Sequence, residues 1–106
     1  MKIRGYEIVD IRVNKYSINN NNTAVEFLCL DGGITSPFAV VTVNFDEVLP
    51  KDMAYLDTNN CPWVVDIFKQ YNLGEPMGVF RTSGFCKYPL YKLNLKELEK
   101  FGYWHK

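Results

Sequence analysis

The chain has 106 residues, a length that suits one domain. Hydrophobic residues make up 47% of it and charged residues 23%, which supplies a core and excludes a disordered polar chain. Twelve Lys plus Arg balance twelve Asp plus Glu, and a net charge of zero argues against a general binder of nucleic acid.

Residues 6–16, "YEIVDIRVNKY", alternate. Val9, Ile11 and Val13 share one face and Asp10 and Arg12 the other, the pattern of a strand with one solvated side. "SINNNN" at 17–22 is a polar turn region, because Asn tolerates left-handed backbone. "TAVEFLCL" at 23–30 is a second strand with Val25, Phe27 and Cys29 on one face, and Asp31-Gly32-Gly33 then predicts a tight reversal. "PFAVVTVNF" at 37–45 is β-branched and aromatic almost throughout. That composition predicts a central strand buried on both faces, with Pro37 at its first position.

A loop with Asp46, Glu47, Pro50 and Lys51 leads to a short strand, "MAYLD", at 53–57. A helix is predicted over 61–72, where Trp63, Val64, Ile67, Phe68 and Tyr71 form one apolar stripe, with Gly74 as its stop. Strands at 77–82 and 86–92 follow, broken at Ser83-Gly84. The last helix starts at Asn94. Asn94 and Glu97 have capping-box spacing, Leu93 and Leu98 suit a hydrophobic staple, and Gly102 is the expected end. No repeat or linker divides the chain. The predicted fold is therefore a single α+β domain over 1–106. It is a mostly antiparallel sheet of about five or six strands with two helices packed on one face.

The three cysteines, Cys29, Cys61 and Cys86, are widely spaced and odd in number, which fits reduced thiols in a cytoplasmic protein better than a disulfide framework or a zinc knuckle. No apolar run is long enough to span a membrane, and Met1-Lys2-Ile3-Arg4-Gly5 lacks the apolar stretch of a signal peptide.

Cys61 opens the predicted helix, where a thiol can be activated as a nucleophile. It needs a base, and the one histidine is His105, at the far end of the chain. Pro62 gives a plainer account of the position, since proline suits a first helical turn, and Asp57 or Asn60 is then expected to cap free amides. Asp46, Glu47, Asp52 and Asp57 cluster before the helix, but their spacing matches no calcium loop. In "RTSGFCKYPLYK", 81–92, basic Arg81, Lys87 and Lys92 are mixed with Phe85, Tyr88 and Tyr91. Such a mixture can hold single-stranded nucleic acid, but Tyr and Arg are also common anchors for a protein partner. Ser83-Gly84 lacks the first glycine of a nucleophile elbow, and no phosphate loop or dinucleotide fingerprint is present. The terminal "FGYWHK" is read as a docking tail or as a lid on the core.

The succession "TAVEFLCLDGG", "FAVVTVNF", "AYLDTNNCPW" and "SGFCKYPLYKLN" resembles an uncharacterised family of small proteins from phages, plasmids and integrative elements of low-GC Gram-positive and gut bacteria. The resemblance covers about residues 6 to 94. It is most specific at Asp57-Thr58-Asn59-Asn60 and at Ser83-Gly84 followed by Tyr88-Pro89-Leu90. It implies a mobile-element accessory protein and hands over no catalytic residue.

The expectation is a binding module whose partner is a protein, a host-defence component being one version. Its candidate binding residues are Asp57, Thr58, Asn59, Asn60, Arg81, Ser83, Tyr88 and Tyr91, with no cofactor, metal or catalytic residue. The alternative is a small enzyme or small-ligand-binding domain with a polar site around Asp57–Cys61 and Ser83.

Overall fold

Strand backbones need hydrogen-bonding partners, and this chain finds them in two sheets rather than one. The computed structural model describes residues 1–16 and 21–101. Most of the predicted turn at 17–22, the expected helix end at Gly102, and the tail with Tyr103, Trp104 and His105 lie outside the described residues. The first sheet is an antiparallel meander of β1 (Lys2–Ile3), β2 (Tyr6–Lys15), β3 (Thr23–Asp31) and β4 (Ile34–Val40), in that spatial order. The second contains β5 (Thr42–Val43), β6 (Met53–Leu56), β7 (Gly74–Ser83) and β8 (Cys86–Leu93), in the order β5-β6-β8-β7. Helix α1 (Val64–Gln70) precedes β7, and α2 (Leu95–Glu99) follows β8.

The α+β class and the antiparallel pairing agree with the sequence reading, but the single sheet of five or six strands does not. The predicted central strand at 37–45 is two strands in different sheets. Val41 is the pivot. Its N–H donates to the Val25 carbonyl of β3 at 2.9 Å, and its own carbonyl accepts from Asp57 N–H, just past β6, at 2.8 Å. Val41 is fully buried, while Ile34 is 69% exposed and Val40 45%. β4 is thus an edge strand rather than one buried on both faces. Pro37 sits within it beside a bulge at Phe38, a place where a missing N–H is tolerated. The expected reversal at Asp31–Ile34 is present, with Gly32 and Gly33 both at positive φ, as a two-residue hairpin loop of this hand requires.

A second bulge falls at Val9 in β2. It shifts the face assignment, so that Ile8 with Ile11 faces the core and Val9 is only half-buried. Asp10, expected on a solvated face, is buried across from Leu28, with its carboxylate 3.9 Å from Arg12 Nε. Asn22, the last residue of the predicted polar turn, is a clamp. Its side-chain amide donates to Asn44 Oδ1 and the Glu47 carbonyl, and accepts from Leu49 N–H, holding the loop after β5.

The core is one continuous cluster fed by both sheets and both helices. Phe27, Phe68, Ile11, Leu56, Leu73 and Leu98 are among its fully buried members. The helices do not share one sheet's face as predicted: α1 packs against β7 and β8, and α2 against β2. Helix α1 is also shorter than 61–72. It ends in a Schellman motif in which Asn72 takes φ +55, Leu73 N–H donates to the Phe68 carbonyl, and Asn72 N–H to that of Lys69. Asn72 is therefore the stop, not Gly74. Gly74 serves close packing instead, because a Cβ there would lie 2.8 Å from the Lys92 carbonyl and 3.2 Å from the Phe68 ring. Half of the predicted capping box forms on α2. Asn94 Oδ1 accepts from Glu97 N–H, whereas the Glu97 carboxylate turns to Lys100 Nζ. Among the described residues no helix is long and apolar enough to cross a membrane.

Candidate functional site

The connection from β6 to α1 carries the Asp57–Trp63 stretch and is built around Asp57. Its side chain accepts from Asn60 N–H at 3.1 Å through Oδ1 and from Asn60 Nδ2 at 2.9 Å through Oδ2. Its carbonyl accepts from Cys61 N–H at 2.8 Å. Asp57 is thus a buried turn former, as carboxylates in such tight loops commonly are. It does not cap α1, whose N-cap is Trp63 without a side-chain bond. Thr58 Oγ1 donates to the Lys87 carbonyl at 3.3 Å, tying the turn to β8, and Asn59 is exposed.

Cys61 lies three residues before α1, outside the helix that the sequence predicts it to open. The side chain is buried, with Sγ 3.9 Å from the Val40 carbonyl. Burial pushes the thiol from its ordinary value of 9.0 up to about 11; the Asp57 charge adds to the rise and Arg4 opposes it. This is the opposite of an activated nucleophile. A folded-state value above the unfolded one contributes stability that is present below about pH 9 and lost as pH rises toward about 11. Thiol-reagent labelling at neutral pH is accordingly expected to modify half-buried Cys86 well before Cys61. Equal rates in the folded protein would contradict this burial.

The remaining expected site residues divide between surface and core. Arg81 Nη1 bonds Glu47 Oε1 at 2.9 Å, and its guanidinium lies 4.7 Å from the centre of the Phe45 ring. Tyr55 donates to the same Glu47 oxygen at 2.7 Å, and Tyr88 packs on Phe45 at 5.6 Å. Lys87 Nζ lies over the Phe80 ring at 4.9 Å. Arg81, Lys87 and Tyr88 are therefore engaged with partners inside the chain, whereas Phe85 is fully exposed. Ser83 is exposed at the end of β7, paired with Cys86 across the Gly84-Phe85 loop. Tyr91 is only 5% exposed, edge-on to Phe68 at 5.8 Å. It belongs to the core, because strand alternation points Pro89, Tyr91 and Leu93 inward and Tyr88 outward.

Ser83 does not line the cleft that Asn60 borders. Asn60 and Cys61 instead join residues the sequence reading passed over. With Arg4, Tyr6, Phe38, Ala39 and Trp63 they line an open cleft of about 300 Å³. Its wall is a row of rings: Tyr6 to Phe38 at 5.5 Å, Phe38 to Trp63 at 5.7 Å, and Trp63 to buried Phe27 at 5.9 Å. The local signal for this site was Arg4-Gly5, between two short β-prone segments, where a hairpin loop favours Asn-Gly. A second groove of about 420 Å³ runs between α1 and β7, lined by Val65, Phe68, Lys69, Pro76 and Tyr91 among others. Among the described residues no three His, Cys, Asp or Glu side chains gather as metal ligands would.

No curated protein and no solved structure matches the chain. The model of the domain of unknown function DUF4313 matches residues 10–105, from the middle of β2 past the end of α2. That span takes in the second sheet, most of the first and both helices, with β1, Arg4 and Tyr6 lying before it, and the chain belongs to the DUF4313 family.

Proposed function

We propose that the chain is a binding module for a protein partner and engages it through the β7–β8 hairpin. One observation supports this most directly: large apolar side chains stand in solvent along β7 and its loop. Phe85 at the loop is fully exposed, Phe80 is 54% exposed, Val79 50% and Met77 39%. Single exposed apolar residues are ordinary, but several on one hairpin form the kind of patch that marks an interaction site. The hairpin is anchored by Tyr91 on Phe68 toward its base and by Arg81 on Glu47 toward its tip, so the patch is presented on a rigid support. A bulge between Pro76 and Phe80 interrupts the edge of β7. Pro76 and that bulge disfavour strand-to-strand pairing, so recognition rests on side chains. Asp57, Thr58, Asn59 and Asn60 act as supports in this reading, with Ser83 and Tyr88 on the presented hairpin. The mobile-element accessory role, with a host-defence component as one version of the partner, is part of the same proposal. Dispersal of the polar groups among turns counts against the enzyme alternative.

The test uses a partner captured from the host with the wild-type chain and then purified. The Phe80→Ser, Phe85→Ser double variant is expected to stay folded, within about 1 kcal/mol of the parent, because both rings are solvent-exposed. It is expected to lose at least about 2 kcal/mol of binding, the size of an interface hot spot, or roughly thirtyfold in Kd. An unchanged Kd in a folded double variant would overturn the hairpin reading.

A further inference from the structure

We propose that the cleft between the β1–β2 loop and Trp63 binds a small planar aromatic anion. Three observations meet there. The first is the wall, a row of three rings of which Tyr6 is 46% exposed, able to take a flat ring by stacking or edge contact. The second is charge. Of the residues lining the cleft, Arg4 alone is charged, and among the described residues it makes no ion pair. A guanidinium lining the same cleft as an aromatic wall matches a carboxylate or phosphate attached to a ring, through paired charge-assisted hydrogen bonds.

The third is the backbone that holds Arg4. Ile3 pairs with Tyr6, so Arg4 and Gly5 form a two-residue loop with φ +51 and +86. Both positions of such a loop need left-handed backbone, and Asn-Gly is its favoured filling. The described residues outside glycine that adopt positive φ are Arg4, Asn21 and Asn72. Arg4 is the one side chain among them with no intrinsic reason to be there, and it projects from the rim of the aromatic cleft. Asn60 completes the site. Its orientation is set by two bonds to Asp57, which leaves its amide oxygen to meet a polar ring substituent. The volume, about 300 Å³, is at the small end of ligand pockets and suits one or two fused rings with a charged group. The cleft shares no residue with the β7–β8 hairpin, so it stands or falls separately from the partner reading.

Calorimetric titration tests this with two probes of the same chemistry from different sources, adenosine monophosphate and anthranilate. Adenosine and anthranilamide are their uncharged counterparts. At least one anion is expected to bind saturably, and about tenfold more tightly than its neutral counterpart. The anion that binds identifies the source, nucleotide or aryl carboxylate. Arg4→Asn supplies the residue the loop favours, so its thermal midpoint is expected to hold or rise while anion affinity falls about tenfold or more. Trp63→Leu is expected to weaken the anion and its neutral counterpart alike. Absence of saturable binding by both anions at millimolar concentration would overturn the proposal, as would unchanged anion affinity in Arg4→Asn.

Discussion

Replacing Phe68 with Ala is expected to lower the free energy of unfolding by about 3–5 kcal/mol, the usual cost of emptying a buried aromatic site. Phe68 is fully buried. It meets the Tyr91 ring edge-on at 5.8 Å, and Gly74 was shown to leave its ring the room it needs. These surroundings come from α1, β7 and β8 and cannot all collapse into the gap. The loss is a large part of the roughly 5–15 kcal/mol that holds a domain together. Urea unfolding reads it as a fall in midpoint, and heating as a drop of roughly 4–8 °C for each kcal/mol. Tyr91→Ala should be comparably damaging. Combining the two should cost less than their sum, because the pair shares one contact. A loss under about 1 kcal/mol for Phe68→Ala would mean that α1 is not docked on the second sheet as described.

Asp57→Ala is expected to cost about 1.5–3 kcal/mol, the range for hydrogen bonds to a charged group. The carboxylate holds Asn60 by both its backbone and side-chain nitrogens, and the turn so made sets Cys61 and the start of α1. Loss of this link should also speed hydrogen exchange at the Asn60 amide, since that N–H would then face only water. Asp57→Asn keeps an acceptor for one of the two bonds and should fall between parent and Ala. If the Asn60 amide exchanged at the same rate in Asp57→Ala, the turn would owe its shape to the backbone alone.

Much of the local structure was legible in the chain. The strand at 23–30 and the Gly32-Gly33 reversal come from residue-by-residue preferences, and the structure places them within a residue of where the sequence does. Asn94 as a cap came from its spacing to Glu97, and its side chain makes the expected bond. The helix stop was misplaced because Asn72 and Gly74 both suit such a role. Only the Schellman bonds of Leu73 and Asn72 distinguish them. The bulge at Val9 was also illegible, since alternation through Val9, Ile11 and Val13 reads as unbroken. An extra residue shows only when its partner Cys29–Leu28 is known.

The candidate site was legible in part. Asn60 and Cys61 drew attention as a possible active centre, and they do border a cleft. The rest of its lining includes Arg4, Tyr6, Phe38 and Trp63, four residues spread over about 60 positions of the chain. Cys61 is held neutral by the same burial that makes it useful in packing.

The sequence by itself determined where this chain is extended, where it reverses and which faces are apolar, because alternation, capping and turn chemistry act over a few residues. Tertiary structure decided what those segments belong to. It divided 37–45 between two sheets at Val41, turned Tyr91 inward against Phe68, and brought Arg4 to the aromatic row. Sheet membership depends on which distant N–H and C=O groups meet. Val41 reaches back to Val25 and forward to Asp57, and no pattern within 37–45 records either partner.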